Sequence, residues 1–141
     1  MTLYAESSAV LAWLLDQPGG WPAFDDLRNA DLVVTSELTL IECDRALHRY
    51  ASVGRIEAST AEHLRAELSG IVSAWGVTPI SAEVVGRARA SFPDDRIRTL
   101  DAIHLASALT ARADLGDIEL LTFDDRIRAT GNLLGFRVLP D

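Results

Sequence analysis

The sequence predicts an α/β fold in which a mostly parallel sheet is covered by helices on both faces. Three observations lead there. Short β-like runs alternate with helical stretches along the whole chain, which is how crossover-connected strands read. With 141 residues, 48% of them apolar, the chain can fill one core without a disulfide or a structural metal. No internal repeat, low-complexity tract or linker divides it, so residues 1–141 are expected to form one domain.

The first strand is expected at residues 2–5, followed by a helix that Ser7 or Ser8 caps and that carries Val10, Leu11, Leu14 and Leu15 up to Pro18-Gly19-Gly20. A second helix covers about 22–29. Residues 32–34 make the next strand, and Ser36 caps a long helix through Tyr50 with Leu40, Ile41 and Leu47 among its apolar positions. Ser59 or Thr60 opens a helix bearing Leu64, Leu68, Ile71, Val72 and Trp75, and Gly76 ends it. A strand at 77–80, a helix from Ser81 to about Ser91 and a polar loop, Pro93-Asp94-Asp95, come next. Thr99 caps a helix through Ala113 with Ala102, Leu105, Ala106 and Leu109 facing inward. A strand at 118–122, a short helix at 125–133 and a last strand at 136–139 complete the order. Trp13, Trp21 and Trp75 read as core or edge packing.

Composition narrows the chemistry. All thirteen basic residues are arginines. Without lysine there is no phosphate-binding P-loop, no Schiff-base amine and no receiver-type phosphoacceptor site. A net charge of −8 argues against a broad positive surface for nucleic acid, so any such role must rest on local chemistry. Cys43 has no partner in the chain and reads as a small buried hydrophobe. The first residues lack the basic and apolar regions of a signal peptide, and no stretch reaches the length of a membrane span. A soluble cytoplasmic protein is the expectation.

In an open parallel sheet, ligands bind beyond the carboxyl ends of the strands. Four acids stand there: Glu6 after the first strand, Glu42 in the helix after the second, Asp101 in the first turn of its helix, and Asp124 after the strand at 118–122. Each also has a structural use. Asp101 suits a helix N-terminus through the macrodipole, and Glu6 and Asp124 suit caps or turns. Glu42 sits in an apolar helical stretch, where a carboxylate must be paired or bind metal, and Arg45 and Arg49 share its face.

Taken together, Glu6-Ser7-Ser8, Leu38-Thr39-Leu40-Ile41-Glu42-Cys43, Thr99-Leu100-Asp101-Ala102-Ile103-His104-Leu105-Ala106 and Thr122-Phe123-Asp124 resemble the PIN-domain family, in particular the VapC toxin ribonucleases of bacterial toxin–antitoxin pairs. The resemblance runs from Tyr4 to Val138, with Glu6 standing where the family has Asp. It implies a PIN-like three-layer α/β/α fold and a metal-dependent ribonuclease. Glu6, Glu42, Asp101 and Asp124 would hold Mg2+ or Mn2+, with Ser8 and Thr122 orienting them. Asp125 is left as a helix N-cap, and His104 reads as a packed, hydrogen-bonded histidine. Arg45, Arg49, Arg96 and Arg98 are the candidates to guide RNA phosphates. RNA as substrate, a cognate antitoxin that inhibits, and a homodimer belong to the same implication, with no role for a membrane. A silent PIN-like domain that binds protein or RNA is the competing reading. A dinucleotide enzyme would need a GxGxxG after a strand, and none is present.

Overall fold

The computed structural model describes residues 1–94 and 96–141, and the part of the expected polar loop formed by Asp95 lies outside them. Among the described residues, β1 (Thr2–Ala5), β2 (Leu32–Ser36), β3 (Gly76–Thr78), β4 (Glu119–Leu121) and β5 (Val138–Leu139) form one sheet in the order β3-β2-β1-β4-β5. Every pairing is parallel, with Leu3 opposite Val33 on one side and Glu119 on the other. The chain therefore builds one half of the sheet outward from β1, then returns to the other side of β1 to build the second half. A crevice opens at the carboxyl ends of β1 and β4, where that reversal occurs.

Strand side chains alternate between two cores. Leu3 and Ala5 join Val33, Leu121 and Leu139 on one face, under α1 (Ser7–Leu14), α2 (Gly20–Asn29), α3 (Glu37–Ser52) and α4 (Ala58–Val72). Tyr4, Val34, Leu120 and Val138 face the other way, against Leu105, Ala108 and Ala111 of α6 (Thr99–Leu115) and Ile127 of α7 (Asp125–Leu133). The short α5 (Ala82–Ala88) packs on α6. This is the three-layer arrangement expected. Each fully buried leucine, such as Leu105, contributes roughly 1.5–3 kcal/mol.

The helix starts differ from expectation in ways that bear on the site. Ser36 and Ser81 cap α3 and α5 as foreseen, accepting from the N–H groups of Leu38 and Val84. The N-cap of α1 is Glu6 rather than Ser7 or Ser8, and that of α6 is Arg98 rather than Thr99. The N-cap of α4 is Glu57. Gly76 begins β3 instead of ending α4; a Cβ there would lie 3.1 Å from Val34 Cγ1, so the bare backbone lets the strand close on β2. Gly20 begins α2, where a Cβ would meet the Ala12 carbonyl oxygen at 2.2 Å, and this explains how tightly α1 and α2 cross. Ile41 is exposed although its spacing suggested core, because Leu38, Cys43 and Leu47 turn the other face of α3 inward. Trp13 is buried and stacked on Phe24 at 4.5 Å, while Trp21 is exposed and donates to Asp16. Cys43 is buried as expected, and burial pushes its thiol pKa up. Among the described residues no helix is long and apolar enough to cross a membrane.

A candidate acidic metal site

Glu6 leaves β1 directly into the crevice and is almost fully buried. A carboxylate in that position needs donors, and three hydroxyls supply them. Ser7 Oγ donates to Oε1 at 2.7 Å, Thr122 Oγ1 donates to Oε2 at 2.7 Å, and Ser8 Oγ donates to the same Oε2. Ser8 and Thr122 in turn accept from the backbone N–H groups of Phe123 and Asp124. The ends of β1 and β4 are thus joined through one glutamate.

Glu42 does not pair with Arg45 or Arg49. Its Oε1 accepts from Ser7 Oγ at 3.0 Å and from His104 Nε2 at 2.5 Å. The Glu42 carboxylate can only accept, so the hydrogen between them sits on Nε2, which leaves Nδ1 of a neutral ring as an acceptor; Tyr4 Oη lies 3.1 Å from it. Burial, aided by the charge of Glu6, raises the Tyr4 pKa well above its ordinary value, so the phenol stays protonated and donates to Nδ1. His104 then carries its hydrogen on Nε2 and donates it to Glu42. It is a packed, hydrogen-bonded histidine, as its sequence context suggested. Ser7 has one hydroxyl proton and two carboxylate partners, so one of those two contacts holds oxygen against oxygen with no hydrogen between. A cation would relieve that contact. Carboxylate oxygens of Glu6 and Glu42 lie within 4.8 Å of one another, close enough to share one ion, while both ring nitrogens of His104 are engaged by Glu42 and Tyr4.

Asp101 and Asp124 enter from the opposite wall, at the N-termini of α6 and α7. Asp101 is buried, and its Oδ2 accepts from the Arg98 backbone N–H at 3.1 Å, which satisfies one free donor at the start of α6. Asp124, not Asp125, is the N-cap of α7: its Oδ1 accepts from Arg126 and Ile127 N–H at 2.9 and 3.0 Å. The expectation for Asp125 is corrected accordingly. Capping uses one oxygen and leaves Asp124 Oδ2 facing the crevice, 3.4 Å from Arg98 Nη2.

Glu6, Glu42, Asp101 and Asp124 all line one cleft of about 540 Å³, together with Ser7, Ser8, Arg98 and His104. Four carboxylates against one guanidinium leave three negative charges in its wall. Carboxylate oxygens with that surplus suit a hard divalent cation, with positions left for water and a phosphate; Glu6 and Glu42 are close enough to share one ion, and Asp101 and Asp124 line the same cleft outside that close group. A neighbouring apolar groove of about 590 Å³, lined by Leu11, Leu15, Tyr50 and Phe123, shares Ser8 and Leu11 with the acidic cleft. Arg49 lines that groove and Arg45 is exposed on α3. Arg96 is closed onto Asp94 at 2.8 Å, and its guanidinium and backbone N–H hold the Asp94 carboxyl at about 2. Two contributors went unread in the sequence: Ser7, which touches both glutamates, and the double grip of Arg98. Adjacent hydroxyls after Glu6, and an arginine three residues before Asp101, were the available signals.

Glu6 is the natural place to test metal holding. Glu6→Gln should weaken Mn2+ binding by roughly tenfold or more, because the amide removes the charge and turns a donor group toward hydroxyl donors. Glu6→Asp should keep or improve it. Binding measured by calorimetry decides, and unchanged affinity in Glu6→Gln would leave the ion to Glu42, Asp101 and Asp124.

The PIN domain family profile matches residues 3–133. The chain is 30% identical over 141 residues to Ribonuclease VapC46 of Mycobacterium tuberculosis (strain ATCC 25618 / H37Rv), covering 97% of this chain and 95% of that one. It is 28% identical over 139 residues to Ribonuclease VapC47 of Mycobacterium tuberculosis (strain CDC 1551 / Oshkosh), covering 95% and 93%. Among solved structures, a toxin-antitoxin complex from Klebsiella pneumoniae superposes with TM-score 0.68 at 16% identity, over 98% of this chain and 96% of that one. VapBC2 from Rickettsia felis, bound to a promoter DNA fragment, superposes with TM-score 0.61 at 12% identity, over 98% and 97%. These two likenesses concern the fold.

Proposed function

The chain belongs to the PIN domain family and is of the VapC type, and from that premise we propose that it is a toxin endoribonuclease, working in the cytoplasm and restrained by a cognate antitoxin. The observation that carries the reading is the convergence of Glu6, Glu42, Asp101 and Asp124 in one cleft at the carboxyl ends of β1 and β4.

In this reading the four carboxylates hold Mg2+ or Mn2+. The donor set fits: it is rich in carboxylate oxygen, and Ser7 cannot satisfy both glutamates with one proton. Bound there, a divalent ion supplies an acidified water and stabilises charge developing on the attacked phosphate. The residues of the chain do the positioning. Ser7, Ser8 and Thr122 fix both oxygens of Glu6, and the Tyr4–His104 pair fixes Glu42. The N-termini of α6 and α7 aim positive backbone dipoles at the same cleft, which favours an anionic strand. Arg98 at the cleft and Arg49 beside it are the cations best placed to meet RNA phosphates.

Inhibition follows from the adjoining surfaces. An antitoxin segment laid along Leu11, Leu15, Tyr50 and Phe123 would run to the edge of the acidic cleft, because the two share Ser8 and Leu11. A homodimer belongs to the reading through the same kinship. The test is incubation of the purified chain with structured RNA and Mg2+ or Mn2+. Internal fragments bearing 5′-phosphate and 3′-hydroxyl ends, suppressed by the antitoxin, are expected; RNA left intact with both metals would overturn the proposal.

A further inference from the structure

The two carboxylates on the far wall of the cleft already share a cation. Arg98 donates through Nε to Asp101 Oδ2 at 3.1 Å, through Nη2 to Asp101 Oδ1 at 3.3 Å, and through the same Nη2 toward Asp124 Oδ2 at 3.4 Å. Among the described residues no comparable cation pairs with Glu6 or Glu42, which rely on hydroxyls and His104. The guanidinium therefore occupies the lone pairs that Asp101 and Asp124 would offer to an ion, and a monocation and a dication repel each other across so short a span.

Arg98 is also built to let go. Its backbone is fixed as the N-cap of α6, with its N–H on Asp101 Oδ2, while its side chain is 59% exposed. The guanidinium can swing away without disturbing the helix. We propose that Arg98 is an internal counter-ion that competes with the divalent ion for Asp101 and Asp124, and that metal loading releases its guanidinium into the cleft to pair with a phosphate of the RNA strand. The planar fork suits both partners, carboxylates in the unloaded state and phosphate oxygens in the loaded one. The exchange keeps a positive charge on the two aspartates in either state. This inference rests on the reading of the cleft as a metal-dependent nuclease site.

The experiment is Mn2+ binding followed by electron paramagnetic resonance, without RNA, on the intact chain and on Arg98→Ala, Arg98→Lys, Arg96→Ala and Asp101→Asn. Arg98→Ala should tighten Mn2+ binding by roughly threefold to tenfold, the scale of one or two exposed carboxylate–guanidinium pairs. Arg98→Lys, which keeps the charge without the fork, should fall between. Arg96→Ala removes the same charge from a guanidinium closed on Asp94 and should change binding by less than about twofold. At saturating Mn2+, Arg98→Ala should raise KM for RNA by a similar roughly threefold to tenfold factor, as loss of a phosphate contact requires. Unchanged or weaker Mn2+ binding in Arg98→Ala, with Asp101→Asn still weakening it, overturns the counter-ion role alone. An unchanged KM overturns the release onto phosphate. Undiminished Mn2+ binding in Asp101→Asn overturns the reading of the site, and this inference with it.

Discussion

With excess EDTA, RNA cleavage by this chain should fall to background, and it should return when Mg2+ or Mn2+ is added beyond the chelator. The expectation comes from charge. The cleft wall holds four carboxylates and one guanidinium, and that guanidinium is already committed to two of the carboxylates. No lysine exists anywhere in the chain to supplement it. An RNA phosphate entering the cleft would meet three uncompensated negative charges, each worth about 4 kcal/mol at 4 Å in a medium of effective dielectric 20. A divalent ion reverses that repulsion and is the only agent in the proposed mechanism able to acidify water at neutral pH. The check is gel analysis of a defined RNA with and without chelator. Cleavage that persists in EDTA and ignores changes to the four acids would sink the metal mechanism.

Asp101→Asn should lower cleavage by at least about a hundredfold, beyond the roughly 10–100-fold that partners of metal ligands command, while barely changing stability. The two effects separate because Asp101 has two jobs. As the third residue of α6 it accepts the Arg98 backbone N–H, and an asparagine oxygen can do the same. As a buried carboxylate facing the cleft it brings a charge that asparagine lacks. Thermal unfolding should therefore stay close to that of the parent chain, with a macrodipole contribution of about 0.3–1 kcal/mol and the solvent-exposed pairing with the Arg98 guanidinium at risk. Near-parental cleavage would remove Asp101 from the chemistry. A parent chain that binds RNA but cleaves none of it with either metal would favour the silent binding module.

The fold was legible because its strands are short apolar runs punctuated by helix signals, and tertiary packing did not override them. β1 stands where residues 2–5 were read, and Ser36 and Ser81 cap their helices as placed. Cap identities failed at α1 and α6, where side chains near the helix start serve the cleft instead. Ser7 and Ser8 look like caps of α1, but their hydroxyls are drawn onto Glu6, a buried carboxylate that they satisfy together with Thr122. Thr99 looks like the cap of α6, yet the bonds that Asp101 accepts from both the backbone N–H and the guanidinium of Arg98 move the start by one residue. The Thr122-Phe123-Asp124 step pointed to Asp124 for the cleft and left the cap to Asp125; the backbone places Asp124 at both, so one residue performs both tasks. The four acids could be named from position after strands. Their division into a hydroxyl-bound pair and an arginine-bound pair depends on contacts between distant elements, which local sequence does not encode.

The bond from Thr122 to Glu6 closes a loop of 116 residues, and that span dictates when in the life of the chain the cleft is assembled. Contacts of such sequence separation form late, since the entropy of bringing the ends together must be met before the contact returns anything. A ribosome adding roughly 5–20 residues per second would present Glu6 long before Thr122 and Asp124 exist. Until β4 inserts beside β1, Glu6 lacks one of its three donors and the crevice lacks a wall. The growing chain thus has no assembled cleft until β4 has been made.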